Sequence, residues 1–212
     1  MRAERAHPAG VLWALMALLC VLAQSPAAMA QELAPIGWIA GQTGAATVLR
    51  NRVPAPLIVG APIFRADHVT TEADTRLTIE FADGSSVVLG PGCALSIDEF
   101  TTDPKGGRLS AALTLLQGIV RAIVNPAQAG GFEVRTETAI ASARSTDWTV
   151  EVAPGTTAVL VLDGTVAVAG RAGGEVVLEP GEGTDVAAGQ PPTPPVRWGE
   201  ERRARTLSLI GL

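Results

Sequence analysis

The stretch RLTIEFADGSSVVLGPGCALSIDEF, residues 76–100, limits the folds open to this chain more than any other. Leu77, Ile79 and Phe81 alternate with Arg76, Thr78 and Glu80, the period of a strand with one face buried. Asp83-Gly84 then breaks the run before a second one begins. Asp-Gly between two alternating runs is a strong hairpin signal, and a type I′ turn there predicts positive φ at both Asp83 and Gly84. Pro91-Gly92-Cys93 marks the next corner, after which Leu95 and Ile97 alternate with Ser96 and Asp98 up to Glu99 and Phe100.

The same device recurs further on. TTAVLVLDGTVAVAG predicts two strands around Asp163-Gly164, and its near-continuous Val and Leu predict burial on both faces. LTLLQGIVRAIV predicts a turn at Gln117-Gly118. Gly84, Gly118 and Gly164 are unevenly spaced, so this is a recurring device rather than a counted repeat. From Trp38 to Val186 the fold class read from the pattern is all-β: short antiparallel hairpins stacked as a sandwich or a flattened β-solenoid, with both arrangements open. After Gly189 the character changes. QPPTPPVRW is a stiff proline-rich connector expected to strap the tail across the domain. GEERRARTLSLI reads as a short C-terminal helix, acidic in its first turn and basic later.

Residues 1–30 read as a signal peptide, with Arg2 and Arg5 before the apolar run VLWALMALLCVLA and a small-x-small site at Ala28-Met29-Ala30. Cleavage would leave a chain beginning at Gln31. Leu19 before Cys20 argues against a lipobox, and no apolar run reaches the roughly 20 residues that span a bilayer. The expected organisation is therefore a signal peptide (1–30), an all-β domain (31–189), and a connector with a helix (190–212), in a periplasmic or secreted protein. Loss of Arg2, Arg5 and Glu4 takes the net charge from −5 to −6. An acidic chain whose one basic cluster, residues 202–205, is preceded by Glu200 and Glu201 is a poor partner for nucleic acid. Cys93, the one cysteine after cleavage, has no internal disulfide partner and reads as a small buried hydrophobe.

The residues for catalysis are sparse. The polar cluster Ser142, Arg144, Ser145, Thr146 and Asp147 resembles a reaction centre, yet His68 is the one histidine available as a base, on a loop-like exposed stretch. One His and one Cys cannot supply the ligands of a zinc site. Asp98, Glu99 and Asp103 stand near a chain reversal without the spacing of a calcium loop. No catalytic residue, metal site or cofactor is assigned. Thr146 and Asp147 are expected to tie down the backbone at a strand entry, their side chains being suited to capping local N–H groups, with Trp148, Val150 and Val152 facing inward.

The set of motifs resembles the FecR domain family. GWIAGQTGAATVLRN is similar to its opening strand pair, and APLIVGAPIFRADHVTTEADTRLTIEFADGSSVVLGPGCALSIDEF to its central part with the F-x-D-G-S hairpin and D-E-F strand. LLQGIVRAIV, FEVRTETAIASARSTDWTVEV, VLDGTVAV and LEPGEGTDV resemble the later strands. The family usually has Gly where Ser145 stands, Pro at Glu137 and Phe at Trp148; a positive φ at Ser145 would make Ser145→Gly stabilising. The resemblance implies an exported β-rich module without the cytoplasmic sigma-binding part, so iron-dependent transcriptional control is not carried over.

Two functions follow as expectations. The first is a non-enzymatic sensory or interaction module that binds another envelope protein, such as a membrane-bound sensor, through a sheet edge or face. The second is a small-ligand or glycan binder, or less directly a carbohydrate-active enzyme, stacking its ligand on Trp38, Trp148 or Trp198.

Overall fold

A computed structural model describes residues 34–103 and 105–212. The expected signal peptide, Cys20 and the cleavage site at Gln31 lie outside the described residues.

The alternating runs form two facing sheets, all-β apart from one terminal helix. The chain enters through β1 (Gly37–Thr43), β2 (Ala46–Arg50), β3 (Val53–Pro56), β4 (Pro62–Ile63) and β5 (His68–Thr71). It continues through β6 (Arg76–Phe81), β7 (Ser86–Leu89), β8 (Ala94–Thr102) and the long β9 (Arg108–Ile123). The second half holds β10 (Gly131–Arg135), β11 (Ala139–Ala143), β12 (Asp147–Ala153) and β13 (Thr156–Asp163). β14 (Val166–Gly170), β15 (Glu175–Leu178), β16 (Glu182–Ala187), β17 (Val196–Arg197) and helix α1 (Glu200–Leu209) complete it.

Backbone pairing orders sheet A as β4-β1-β6-β7-β9-β12-β13-β16-β17. Sheet B runs β3-β2-β5-β8-β9-β10-β11-β14-β15. Each pair is antiparallel except β9 with β10. The chain works steadily from one end of the stack to the other and changes sheet between successive hairpins. It is thus a sandwich in cross-section and a flattened solenoid in its path. The inward side chains meet between the sheets: Phe81 of sheet A stacks on Phe100 of sheet B at 5.0 Å between ring centres and meets Phe132 edge-on at 6.2 Å.

Three expectations about turns are corrected. Gln117-Gly118 is no hairpin turn, because β9 runs straight through it. Its first half pairs in sheet B with β8 and β10, and its second half pairs in sheet A with β7 and β12. Gly118 (φ 87°) is the bend at the crossing, where a side chain would come 2.7 Å from the Cys93 Cα. A strand that switches sheets makes its corner with such a local irregularity. Asp163-Gly164 likewise joins no hairpin: β13 pairs in sheet A and β14 in sheet B, so the turn transfers the chain between layers. Gly164 takes φ 82° and passes against the Ser145 carbonyl. Asp83-Gly84 does close the β6–β7 hairpin, but positive φ falls on Gly84 alone (80°). The Gly84 N–H donates to the Phe81 carbonyl at 2.9 Å and the Phe81 N–H to the Ser85 carbonyl at 2.8 Å. That is a three-residue loop with a glycine bulge rather than a type I′ turn.

Two smaller readings also change. GWIAGQTGAATVLRN does not form a strand pair, since β1 joins sheet A and β2 sheet B. His68 opens β5 rather than lying on a loop, and it is exposed as expected. The connector straps the tail as its prolines suggested: the Thr184 hydroxyl donates to the Thr193 carbonyl at 2.7 Å, and the Thr193 N–H to the Asp185 carbonyl at 3.0 Å.

α1 then crosses the outer face of sheet A. Arg202 donates to Asp185 on β16, Arg205 pairs with Glu151 on β12 at 2.9 Å, and Arg76 on β6 donates to the Ser208 carbonyl at 2.8 Å. Trp198 lies over Gly183, with the Arg202 guanidinium 3.6 Å from the centre of its ring. Beneath this cover Thr149, Leu160 and Ile119 are buried on the side of sheet A that faces away from the main core.

Candidate functional site

Among the described residues, the outer face of sheet B carries no such cover. Pairing aligns Glu133 on β10, Ser142 on β11, Ala167 on β14 and Val177 on β15 in one row across four strands. These four positions point away from Phe132, Ala141, Val166 and Val168, which belong to the core. The row floors a groove of about 710 Å³. Arg144, Ser145 and Thr146 form one wall, and Gly164 and Thr165 close that end. The row continues past Glu133 to Ala112 on β9 and Glu99 on β8, where a smaller hollow of about 240 Å³ adjoins it. Small side chains make most of the floor because β10, β11 and β14 contribute Gly131, Ser142 and Ala167 to it. Glu133 is held by Arg135 at 2.8 Å and Glu99 by the Ser110 hydroxyl.

The candidate cluster is therefore divided. Arg144, Ser145, Thr146 and Gly164 come together at the groove. Arg144 is exposed and takes part in none of the ion pairs among the described residues. Asp147 turns to the opposite layer, where it accepts both Arg121 nitrogens at 2.7 and 2.5 Å on the outer face of sheet A. This pairing with Asp147 raises the Arg121 pKa, against a smaller opposing effect of burial. Trp148 is in the core at 0% exposure, and Phe100 joins it there. Asp163 is the exposed last residue of β13, just ahead of Gly164. Asp98 accepts from Ser96 at 2.7 Å and Thr114 at 2.5 Å on sheet B. Gly118 lies at the sheet crossing, and Asp83 and Gly84 at the β6–β7 hairpin.

The expectation that Thr146 and Asp147 tie down the backbone at the β12 entry is met by Thr146, though through a carbonyl rather than an N–H, and not by Asp147. The Thr146 hydroxyl donates to the Thr165 carbonyl at 3.0 Å, and Asp147 accepts from a side chain rather than from backbone. Ser145 is absent from the residues with positive φ, so the glycine usual there is not needed for backbone conformation in this chain. The close approach falls instead on Gly164, where an added Cβ would stand 2.4 Å from the Ser145 oxygen.

Sequence reasoning missed the most buried charge in the described fold. Arg108 and Asp83 are both fully buried and paired. Arg108 also donates to the Ser85 hydroxyl at 2.8 Å and the Gly130 carbonyl at 2.9 Å, with its guanidinium 5.5 Å from the Phe132 ring centre. Asp83 further accepts the Ser85 N–H at 2.9 Å. Removing one partner of such a pair strands a charge at a cost of about 3–5 kcal/mol. Asp83 is thus more than a turn former. No local signal marked it, because Arg108 lies far along the chain in the other sheet.

Chemically, the groove offers hydroxyls, the Arg144 guanidinium, backbone and the Glu133 carboxylate, which Arg135 holds in an ion pair. His68 faces the same side of sheet B, but β5 is four strand spacings from β11, about 19 Å at 4.8 Å each. The stacking platform is also reduced: Trp148 and Trp198 are buried, leaving Trp38, on sheet A, 43% exposed. Among the described residues no three His, Cys, Asp or Glu side chains gather as metal ligands, and no helix is long and apolar enough to cross a membrane.

The architecture is that of an all-β scaffold with one roofed and one open sheet face among the described residues. Residues 67–167 match the family described as FecR protein. Two crystal structures of a proposed anti-sigma factor from Parabacteroides distasonis ATCC 8503, at 2.50 and 1.65 Å, share the fold with a TM-score of 0.55 and 19% identity. The match covers 66% of this chain and 63% and 64% of those chains, so the chain spans less than two thirds of their length. No curated protein matches the chain.

Proposed function

We propose that this chain is a non-enzymatic FecR-type signalling module that acts outside the cytoplasm and binds another envelope protein through the open face of sheet B. The observation that carries the reading is the unequal treatment of the two sheets. The chain spends its connector and helix covering sheet A, while sheet B keeps a bare groove floored by small side chains. Small residues let a partner's backbone or side chains approach closely, and the free guanidinium of Arg144 with its neighbouring hydroxyls supplies polar specificity. The anti-sigma description of the structural relatives points the same way, towards regulation by protein contact. The distance of His68 from the serines supports a binding role over catalysis.

The test is affinity capture from envelope extracts with the wild-type chain and with Ala167→Arg, which fills the centre of the groove without touching the core. The expected result is a stoichiometric partner held by the wild type and lost by the variant at unchanged thermal stability. Recovery of no partner, or equal recovery by both, would refute the reading.

A further inference from the structure

Among the described residues the two sheets end in four edge strands, and three of them are blocked. β3 carries Pro54 and Pro56, neither of which can donate to an added strand. β4 is two residues long and begins with Pro62; β17 is also two residues long and follows Pro194-Pro195. These are the usual protections against unwanted strand pairing. β15 has none of them. Its residues Glu175, Val176, Val177 and Leu178 include no proline, and the centre is β-branched. Val177 is 54% exposed, and among the described residues no backbone hydrogen bond reaches these four from beyond β14.

We propose that β15 is the docking edge of this module, taking an extended segment of the partner as an added antiparallel strand with a short apolar centre flanked by basic residues. The inference rests on the interaction reading above and names the edge and the partner chemistry. Charge selects the occupant. Glu175 and Glu179 are exposed and bracket the strand, four residues or about 13 Å apart. Residues 175–182 hold three glutamates and no basic residue, with Glu182 accepting the Glu179 N–H at 3.0 Å. Arg171, the nearest preceding base in the sequence, directs its guanidinium at the Thr136 carbonyl. A second copy of this chain paired antiparallel on β15 would set Glu175 of each copy near Glu179 of the other, and like charges across a strand pair are destabilising. A partner with Lys or Arg at those places is favoured instead. Position adds a second argument. Val177 ends the row Glu133–Ser142–Ala167, so a strand added at β15 lengthens the groove floor, and its outward side chains continue that row.

The test titrates the isotope-labelled full chain with the peptide acetyl-Lys-Val-Thr-Val-Lys-amide and with the same peptide carrying Glu for Lys. The expected result is amide shifts centred on Val176 and Val177, with the Glu-ended peptide weaker by on the order of tenfold. The exposed double change Glu175→Lys/Glu179→Lys, which leaves the core untouched, should reverse that preference. Shifts centred on β3 or in the groove without β15, or equal binding of both peptides, would overturn the assignment. So would a concentration-dependent dimer in sedimentation that the double change alters, since that gives the edge to a second copy. If the double change leaves partner capture from envelope extracts intact while Ala167→Arg abolishes it, the β15 assignment falls and the interaction reading stands.

Discussion

Cys93 shows what burial does to a side chain that has no partner. It sits at the corner where the chain leaves β7 for β8, 1% exposed, and desolvation pushes its thiol up to about 12 against about 8.5 for a free cysteine. A value raised in the folded state means that the unfolded chain gives up this proton first. The corresponding stability is complete below about pH 8.5 and drains away as the pH climbs towards 12. Denaturant melts stepped between pH 8 and 11 should show the wild type losing up to about 1.4 kcal/mol per pH unit relative to Cys93→Ala. Parallel slopes would clear the thiol of that role. The sequence placed Cys93 correctly as a buried hydrophobe, because a Pro-Gly corner before an alternating strand is a local signal. It could not place Arg108 beneath Asp83 or Arg121 beside Asp147, since each pair joins residues distant along the chain.

At the scale of elements, periodicity carried most of the information. β6, β7, β8 and the inward side of β12 follow directly from alternation, and Glu200-Glu201 ahead of the basic cluster marks α1. The glycines were legible as breaks but not as to kind. Gly84 closes a hairpin, Gly164 moves the chain between layers, and Gly118 bends one strand across both sheets, although all three share a left-handed φ. Which outcome follows depends on the strands already in place on either side. Gly118→Ala combines that φ with a Cβ set 2.7 Å from the Cys93 backbone, so thermal melts should show a loss of about 2–4 kcal/mol. Gly155→Ala, with φ 72° but open space around it, should lose only about 1 kcal/mol. Equal losses would mean that conformation alone, without the crowded crossing, sets the cost.

The whole molecule is defined by its two unlike outer faces. Deleting residues 199–212 strips the cover from Leu160 and Ile119, and loss of that apolar burial should cost about 2–4 kcal/mol and raise binding of a hydrophobic dye. The ion pairs of α1 are partly exposed, so salt should move the full chain towards the truncated one. A truncated chain as stable as the full one, without added dye binding, would show that the strap contributes nothing. The sequence by itself determined the all-β class, the strand faces, the FecR resemblance and the shortage of catalytic groups, because those reside in local periodicity and in residue types. The tertiary structure alone decided which strands pair, that β9 serves both sheets, and that the tail roofs sheet A while sheet B stays open. Those are non-local facts: they depend on contacts between segments whose order along the chain carries no trace of their meeting.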